Sequence, residues 1–167
     1  MASFGLIGFS GFVGSTLLKQ TDFTYQYRST NIEDIRHKEF DLLVCAGAPA
    51  QKWLANKEPE ADKAIIDQLI EHIATIQCKQ FILISTVDVF VDPFGVNELS
   101  LVREDGLHAY GLHRRHLEIF VENNFEYVGE NFSRKVREVY YDKKSKKTIY
   151  GTTTLDEKKE LEQEGID

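Results

Sequence analysis

Directly after the short apolar run Phe4-Gly5-Leu6-Ile7, the chain places glycine at every third position, in Gly8-Phe9-Ser10-Gly11-Phe12-Val13-Gly14. No other segment constrains the fold as strongly. Glycine lacks a Cβ, so a strand can turn tightly there and a ligand can approach the backbone closely. A helix opening near Phe12 would present free N–H groups and a positive dipole end to a phosphate. Three glycines can also simply terminate a strand. The strand–turn–helix context favours a dinucleotide site, with Gly8, Ser10, Gly11, Phe12, Val13 and Gly14 as its contact residues.

The remaining pattern alternates strand and helix. Ser3 to Phe9 reads as the first strand, Phe12 to Lys19 as the first helix, and Thr24 to Arg28 as the second strand. Asp41-Leu42-Leu43-Val44-Cys45-Ala46 is nearly all apolar, as expected of a strand buried on both faces of a parallel sheet. Pro59 suits a first helical turn, and Ala61, Ile65, Ile66, Leu69, Ile70, Ile73 and Ile76 follow at helical spacing. Phe81-Ile82-Leu83-Ile84 is the next buried strand, and Gly106 to Asn123 contains a further helix. Such alternation predicts an α/β doubly wound parallel sheet. Only 12 residues, Ser29 to Phe40, separate the second strand from the next. That is tight for a crossover helix and an extra strand, so a reduced sheet is expected.

A doubly wound sheet places its chemistry at the carboxyl ends of its strands. Strand Phe81 to Ile84 runs into Ser85-Thr86-Val87-Asp88, and Tyr110 and Arg114 lie on the helix that starts 24 residues after Thr86. A strand-end hydroxyl, a phenol and a cation one helical turn away form a proton-transfer set. A fixed cation at i+4 shares the helix face of the phenol and favours its ionised form. The alternative is a tyrosine that only packs its ring beside a solvated arginine. At the end of the second strand stands Arg28-Ser29-Thr30, where an acidic residue would bind the adenosine ribose of NAD and an arginine accommodates the extra phosphate of NADP. Arg28 and Ser29 therefore tilt the expectation to NADP over NAD, the other reading being a surface arginine without a ligand.

Together, Gly-x-x-Gly-x-x-Gly, Ser-Thr at a strand end and Tyr-x-x-x-basic resemble the extended short-chain dehydrogenase/reductase superfamily. Within it, the chain is most similar to the NAD-dependent epimerase/dehydratase group acting on nucleotide sugars. The resemblance runs from Gly5 to about Phe125. It implies a Rossmann-like NAD(P)-binding domain over residues 1–133. It also implies a catalytic set of Tyr110, Thr86 and Arg114, in which Tyr110 moves a proton at a sugar hydroxyl and Thr86 hydrogen-bonds the same oxygen. Cys45-Ala46-Gly47 falls where that family passes a small-residue segment beside the cofactor, and Tyr110 and Arg114 would also touch it. Three departures stand out. The family's lysine is here Arg114, which keeps the charge but is a poor proton relay. The family's asparagine motif is not recognisable between Asp62 and Leu69, and only about 40 residues follow the tyrosine helix, too few for a full substrate domain. A cofactor-binding regulatory or partner module without turnover is therefore the alternative to an enzyme.

Beyond Phe125 the resemblance fades. Phe125 to Val128 reads as a strand, Glu138 to Tyr141 and Thr148 to Tyr150 as a basic hairpin, and Thr154-Leu155-Asp156-Glu157 as the capping box of a final short helix. This short α+β tail, residues 134–167, reads as a solvated hairpin, a site for substrate phosphates, a dimer or partner surface, or the start of a further domain. A net charge of -7 argues against a general nucleic-acid binder. No apolar stretch approaches a membrane span and Met1-Ala2-Ser3 carries no basic region, so a cytoplasmic location is expected. Cys45 and Cys78 suit neither a disulfide framework nor a zinc site, and His113 and His116 lack further ligands for a metal. Trp53, beside Lys52, is placed in the loop after the third strand, either at a pocket mouth or packed.

Overall fold

The computed structural model describes residues 3–97, 100–129, 149–151 and 163. In chain order these form β1 (Phe4–Ile7), α1 (Phe12–Leu17), β2 (Tyr25–Tyr27), β3 (Glu39–Cys45), α2 (Lys52–Lys57), α3 (Pro59–Ile73), β4 (Gln77–Leu83), α4 (Ala109–Asn124), β5 (Glu126–Gly129) and β6 (Ile149–Gly151). Four strands make an all-parallel sheet in the order β2-β1-β3-β4, and β5 pairs in parallel with β6. The chain steps outward from β1 to β2 and then returns past β1 to β3. That reversal makes the carboxyl ends of β1 and β3 the switch point at which open α/β sheets bind ligands.

The short link between β2 and β3 explains the reduced sheet. It holds only the 3-10 turn Ile32–Ile35, whose two isoleucines are 8% and 0% exposed. They plug the core where a longer link would place a helix. On the same side Ile66, Leu69 and Ile73 of α3 and Leu117 and Val121 of α4 close over Ile7, Leu43, Cys45 and Phe81. The opposite face carries a smaller cluster, Leu6, Phe23 and Val44, with Leu17 and Leu18 packed on it. Helices therefore cover both faces, in accord with the Rossmann-like α/β reading.

Boundaries differ from expectation for local reasons. β4 starts at Gln77 because Glu39 and Phe40 pair with Gln77 and Cys78, and this pairing recruits residues without an apolar pattern. α3 stops at Ile73, and Ile65 lies on its open side at 49% exposure. α4 begins at Ala109, inside the span expected to contain a helix: Gly106 takes a φ of 90° and the His108 ring accepts the Gly111 N–H as a cap. Lys52 and Trp53 belong to helix α2, not to a loop, and Trp53 is 68% exposed instead of packed. Ile149–Gly151 is a strand whose described partner is β5, while Glu138 to Tyr141 and the capping box at Thr154 to Glu157 lie outside the described residues. Among the described residues, no helix is long and apolar enough to cross a membrane.

Candidate functional site

Tyr27, Ile7, Cys45 and Leu83 lie in one row across the four strands. The ladder continues one step further, with Gly8 N–H donating to Tyr27 O (2.8 Å), Ala46 N–H to Ile7 O (2.9 Å) and Ile84 N–H to Cys45 O (2.9 Å). Four segments singled out from the sequence leave the sheet along this edge: Arg28-Ser29 after β2, the glycine turn after β1, Ala46-Gly47 after β3, and Ser85-Thr86 after β4.

The three glycines of the turn do different work. Gly8 has a φ of 85°, and a Cβ there would stand 2.2 Å from the Ala46 carbonyl oxygen. Gly14 would place a Cβ 2.2 Å from the Gly8 carbonyl oxygen, so it lets α1 press against the turn. Both are demanded by the chain's own packing. Gly11 is not: its Cβ would meet only Gly8 O, at 3.3 Å, and the residue faces outward. Ser10, Phe12 and Val13 are exposed as well, Phe12 at 90%. The first N–H groups of α1 have no intrahelical partner, as at any helix start. This is a backbone cradle open to solvent at the switch point.

Around it, the Arg28 guanidinium carbon stands 5.8 Å from the centre of the Phe9 ring, which joins the end of β2 to the glycine turn. Ser29 is exposed beside it. From β3 only main chain and small residues reach the edge. The Cys45 side chain is 0% exposed within the core, and burial pushes its thiol up to about 11 despite the Gly47 N–H directed at it. Ala46 and Gly47 are half-buried. A Cβ on Gly47 would lie 2.7 Å from the Ile7 side chain.

Backbone packing brings the start of α4 against the turn that follows Thr86. Thr86 caps the 3-10 turn Val87–Val89, its hydroxyl accepting the Asp88 N–H at 3.3 Å and donating to the Asp88 carboxylate at 3.4 Å. Gly111 allows α4 to abut that turn, since a Cβ there would sit 2.0 Å from the Asp88 carbonyl oxygen. Asn56 of α2 accepts the Tyr110 N–H at 3.0 Å. Tyr110 is thus fixed beside the Thr86 turn, 9% exposed, with the Arg114 guanidinium carbon 4.1 Å from its ring centre.

Arg114 is placed differently from what its spacing suggests. Rather than lying open at the site, it is 2% exposed and committed to α3. Its guanidinium donates to both carboxylate oxygens of Asp62, to Pro49 O (2.6 Å) and to Tyr110 O (3.3 Å). Asp62 also contacts His113 Nδ1 at 2.7 Å. Burial acts to raise the Asp62 carboxyl, but the hydrogen bonds from Arg114 and His113 outweigh it and hold the group below its ordinary value. Asp62 went unnoticed in the sequence, although a signal existed. It shares the 62, 66, 69, 73 face of α3 with three core side chains, and a carboxylate on an apolar stripe requires a buried partner.

A second group absent from the sequence reading joins three elements at the same edge. Lys52 of α2 pairs with Asp88, and His108 Nε2 lies 3.7 Å from that carboxylate. Burial acts to raise Asp88, while Lys52 and then His108 lower it, leaving it below its ordinary value. Among the described residues, no group of three or more histidine, cysteine, aspartate or glutamate side chains is arranged to hold a metal ion.

Comparison with known proteins gives a limited set of likenesses. The family described as a protein of unknown function (DUF1178) matches residues 103–167. No curated protein matches the sequence. Among solved structures, the crystal structure of a hypothetical dTDP-4-dehydrorhamnose reductase from Sulfolobus tokodaii superposes with a TM-score of 0.54 over 83% of this chain, at 20% sequence identity. This chain spans 61% of that protein's length. The likeness is one of fold.

Proposed function

We propose that this chain binds NAD(P) across the glycine turn and the β3 exit, and acts as a reductase- or epimerase-type protein on a nucleotide sugar. The observation that carries the reading is the behaviour of Gly11. Its two neighbours in the motif are required by internal close contacts, whereas Gly11 leaves an open approach to the backbone at the switch point. A pyrophosphate is the chemistry that such an approach, with unpaired N–H groups behind it, is suited to receive. The main chain of Cys45–Gly47 and the Ser29 side chain would flank the rest of the cofactor, and Arg28 stands where a ribose phosphate would extend. The likeness in fold to a hypothetical dTDP-4-dehydrorhamnose reductase supports a nucleotide sugar as the substrate class.

When bound, the cofactor supplies the hydride. Tyr110 gives or takes the proton at the substrate oxygen, and Thr86 hydrogen-bonds the same oxygen. The long contacts of Thr86 to Asp88 leave its hydroxyl able to turn toward that partner. Arg114 holds Tyr110 from behind and does not meet the substrate.

Titration with NADPH and NADH, followed by calorimetry and by fluorescence of Trp53, the chain's single tryptophan, tests this directly. Saturable binding that is lost in Gly11→Ala with the fold intact supports the site. A wild-type protein that binds neither form overturns it. The burial of Arg114 favours a second reading, a cofactor-binding module without turnover, because the charge next to Tyr110 is already neutralised by Asp62. Screening dTDP-4-keto sugars for NADPH consumption, with Tyr110→Phe as the control, separates the two.

A further inference from the structure

Helix α4 is capped by an imidazole. His108 stands at the N-cap, where serine, threonine, asparagine or aspartate would hold a helix start without titrating near neutrality. Its Nδ1 accepts the Gly111 N–H at 3.1 Å, so that nitrogen carries no proton and the ring is neutral, protonated on Nε2. The side chain is 39% exposed, within reach of solvent protons. Asp88, in the turn after β4, places a carboxylate oxygen 3.7 Å from Nε2, too far for a hydrogen bond. That same oxygen receives the Lys52 ammonium of α2. On the same helix, the Tyr110 ring centre lies 6.3 Å from that of His108.

Adding a proton sets these contacts against one another. An imidazolium is a donor at both nitrogens, so Nδ1 can no longer accept and faces the Gly111 N–H donor to donor. The positive end of the helix also opposes a cation at this place. The Asp88 carboxylate favours it, and offers a charged Nε2 a partner to turn to. The cap that breaks is next to Tyr110, whose own N–H is held by Asn56 Oδ1 at 3.0 Å. It also ends on Gly111, where α4 meets the Asp88 carbonyl with no room for a Cβ. Histidine is the side chain that changes charge between pH 5 and 8.

We propose that His108 is a positioning residue for Tyr110, acting as a proton-operated clasp. Neutral, it ties the first turn of α4 against the turn after Thr86. Protonated, it leaves Gly111 for Asp88 and releases that turn. The clasp stands on this geometry, whereas its consequence for turnover rests on the role proposed above for Tyr110. A fall in pH then slows proton transfer without weakening cofactor binding at the glycine turn.

The test is amide hydrogen exchange of the free protein by NMR at pH 8 and pH 5.5, each rate referred to that of an unstructured chain at the same pH. In wild type, protection of the Gly111 and Tyr110 amides should fall about fivefold as the His108 ring becomes charged, the worth of one N-cap. His108→Asn, which caps without titrating, should keep its protection at both values. His108→Ala should show the low protection at both. Where NADPH is consumed, kcat should drop further on acidification in wild type than in His108→Asn, at equal NADPH affinity. A ring that stays neutral at pH 5.5 overturns the proposal. So do unmoved amides beside a charged ring, a response at Gly111 alone, or an acid loss that is equal in wild type and His108→Asn. Absence of NADPH binding overturns the dinucleotide reading and not the clasp, whereas NADPH binding with pH-insensitive amides overturns only the clasp.

Discussion

Replacing Asp62 by asparagine changes one carboxylate oxygen into an amide nitrogen and removes the charge that Arg114 and His113 both contact. Asp62 is 5% exposed, Arg114 2% and His113 6%, so water cannot compensate. Arg114 would keep its bonds to Pro49 O and Tyr110 O, but its Nη1 would lose an acceptor while its Nε already has none. Removing one partner of a buried ion pair costs about 3–5 kcal/mol, against a total stability of roughly 5–15 kcal/mol for a domain. With a urea m-value of about 2 kcal/mol/M, the midpoint of a far-UV circular dichroism melt should fall by roughly 1.5–2.5 M. The paired replacement Asp62→Leu with Arg114→Met removes both charges, and such apolar exchanges are neutral to favourable by about 1–4 kcal/mol. The double variant should therefore be more stable than Asp62→Asn by at least about 2 kcal/mol. A loss below about 1 kcal/mol in Asp62→Asn, or additive costs in the pair, would refute the view of Arg114 as a buried bolt between α3 and α4. Acid titration provides a companion measurement. The Asp62 carboxyl is held low in the folded chain, so its contribution is complete above the unfolded value of about 3.9 and disappears as pH falls through the lowered folded value. Asp62→Asn should flatten that part of the stability curve.

Other substitutions probe the site edge. Gly8→Ala and Gly14→Ala should each destabilise by several kcal/mol, on the order of an overpacked core, because each Cβ meets a backbone oxygen at 2.2 Å. Gly11→Ala should instead cost under about 1 kcal/mol in a thermal melt and lower NADPH affinity at least tenfold. The Cys45 thiol, raised to about 11 by burial, should resist a thiol-specific reagent at pH 8 in the native protein and react only after denaturation. Native labelling at a solvent-exposed rate would contradict its place in the core. Tyr110→Phe should leave NADPH affinity within about twofold and abolish any NADPH consumption, since its phenol is assigned to proton transfer and not to cofactor binding.

Short-range regularities carried most of the fold. The glycine spacing after β1, the apolar runs 42–46 and 81–84 at the ends of β3 and β4, and the 62–73 face of α3 state their element types locally. The 12-residue link between β2 and β3 announced a missing strand by length alone. Arg28, the glycine turn, Ala46-Gly47 and Thr86 were legible for the same reason, because strand ends in a parallel sheet share one edge whatever the side chains around them. What stayed hidden depended on partners far along the chain. The spacing of Arg114 from Tyr110 is that of a site cation, yet Asp62, on another helix, turns it into a buried link. Lys52, Asp88 and His108 carry no motif and meet only because α2, the turn after β4 and the start of α4 converge. Gly111 looks dispensable in sequence until the Asp88 carbonyl is seen to fill the space of its absent Cβ. Backbone preference and apolar period are properties of neighbouring residues, so sequence alone determined the strands, the helices and the edge where they end. Charge pairing and close approach are properties of space, and the tertiary structure decided which cation stays exposed at the carboxyl ends of the strands and which is sealed beneath them.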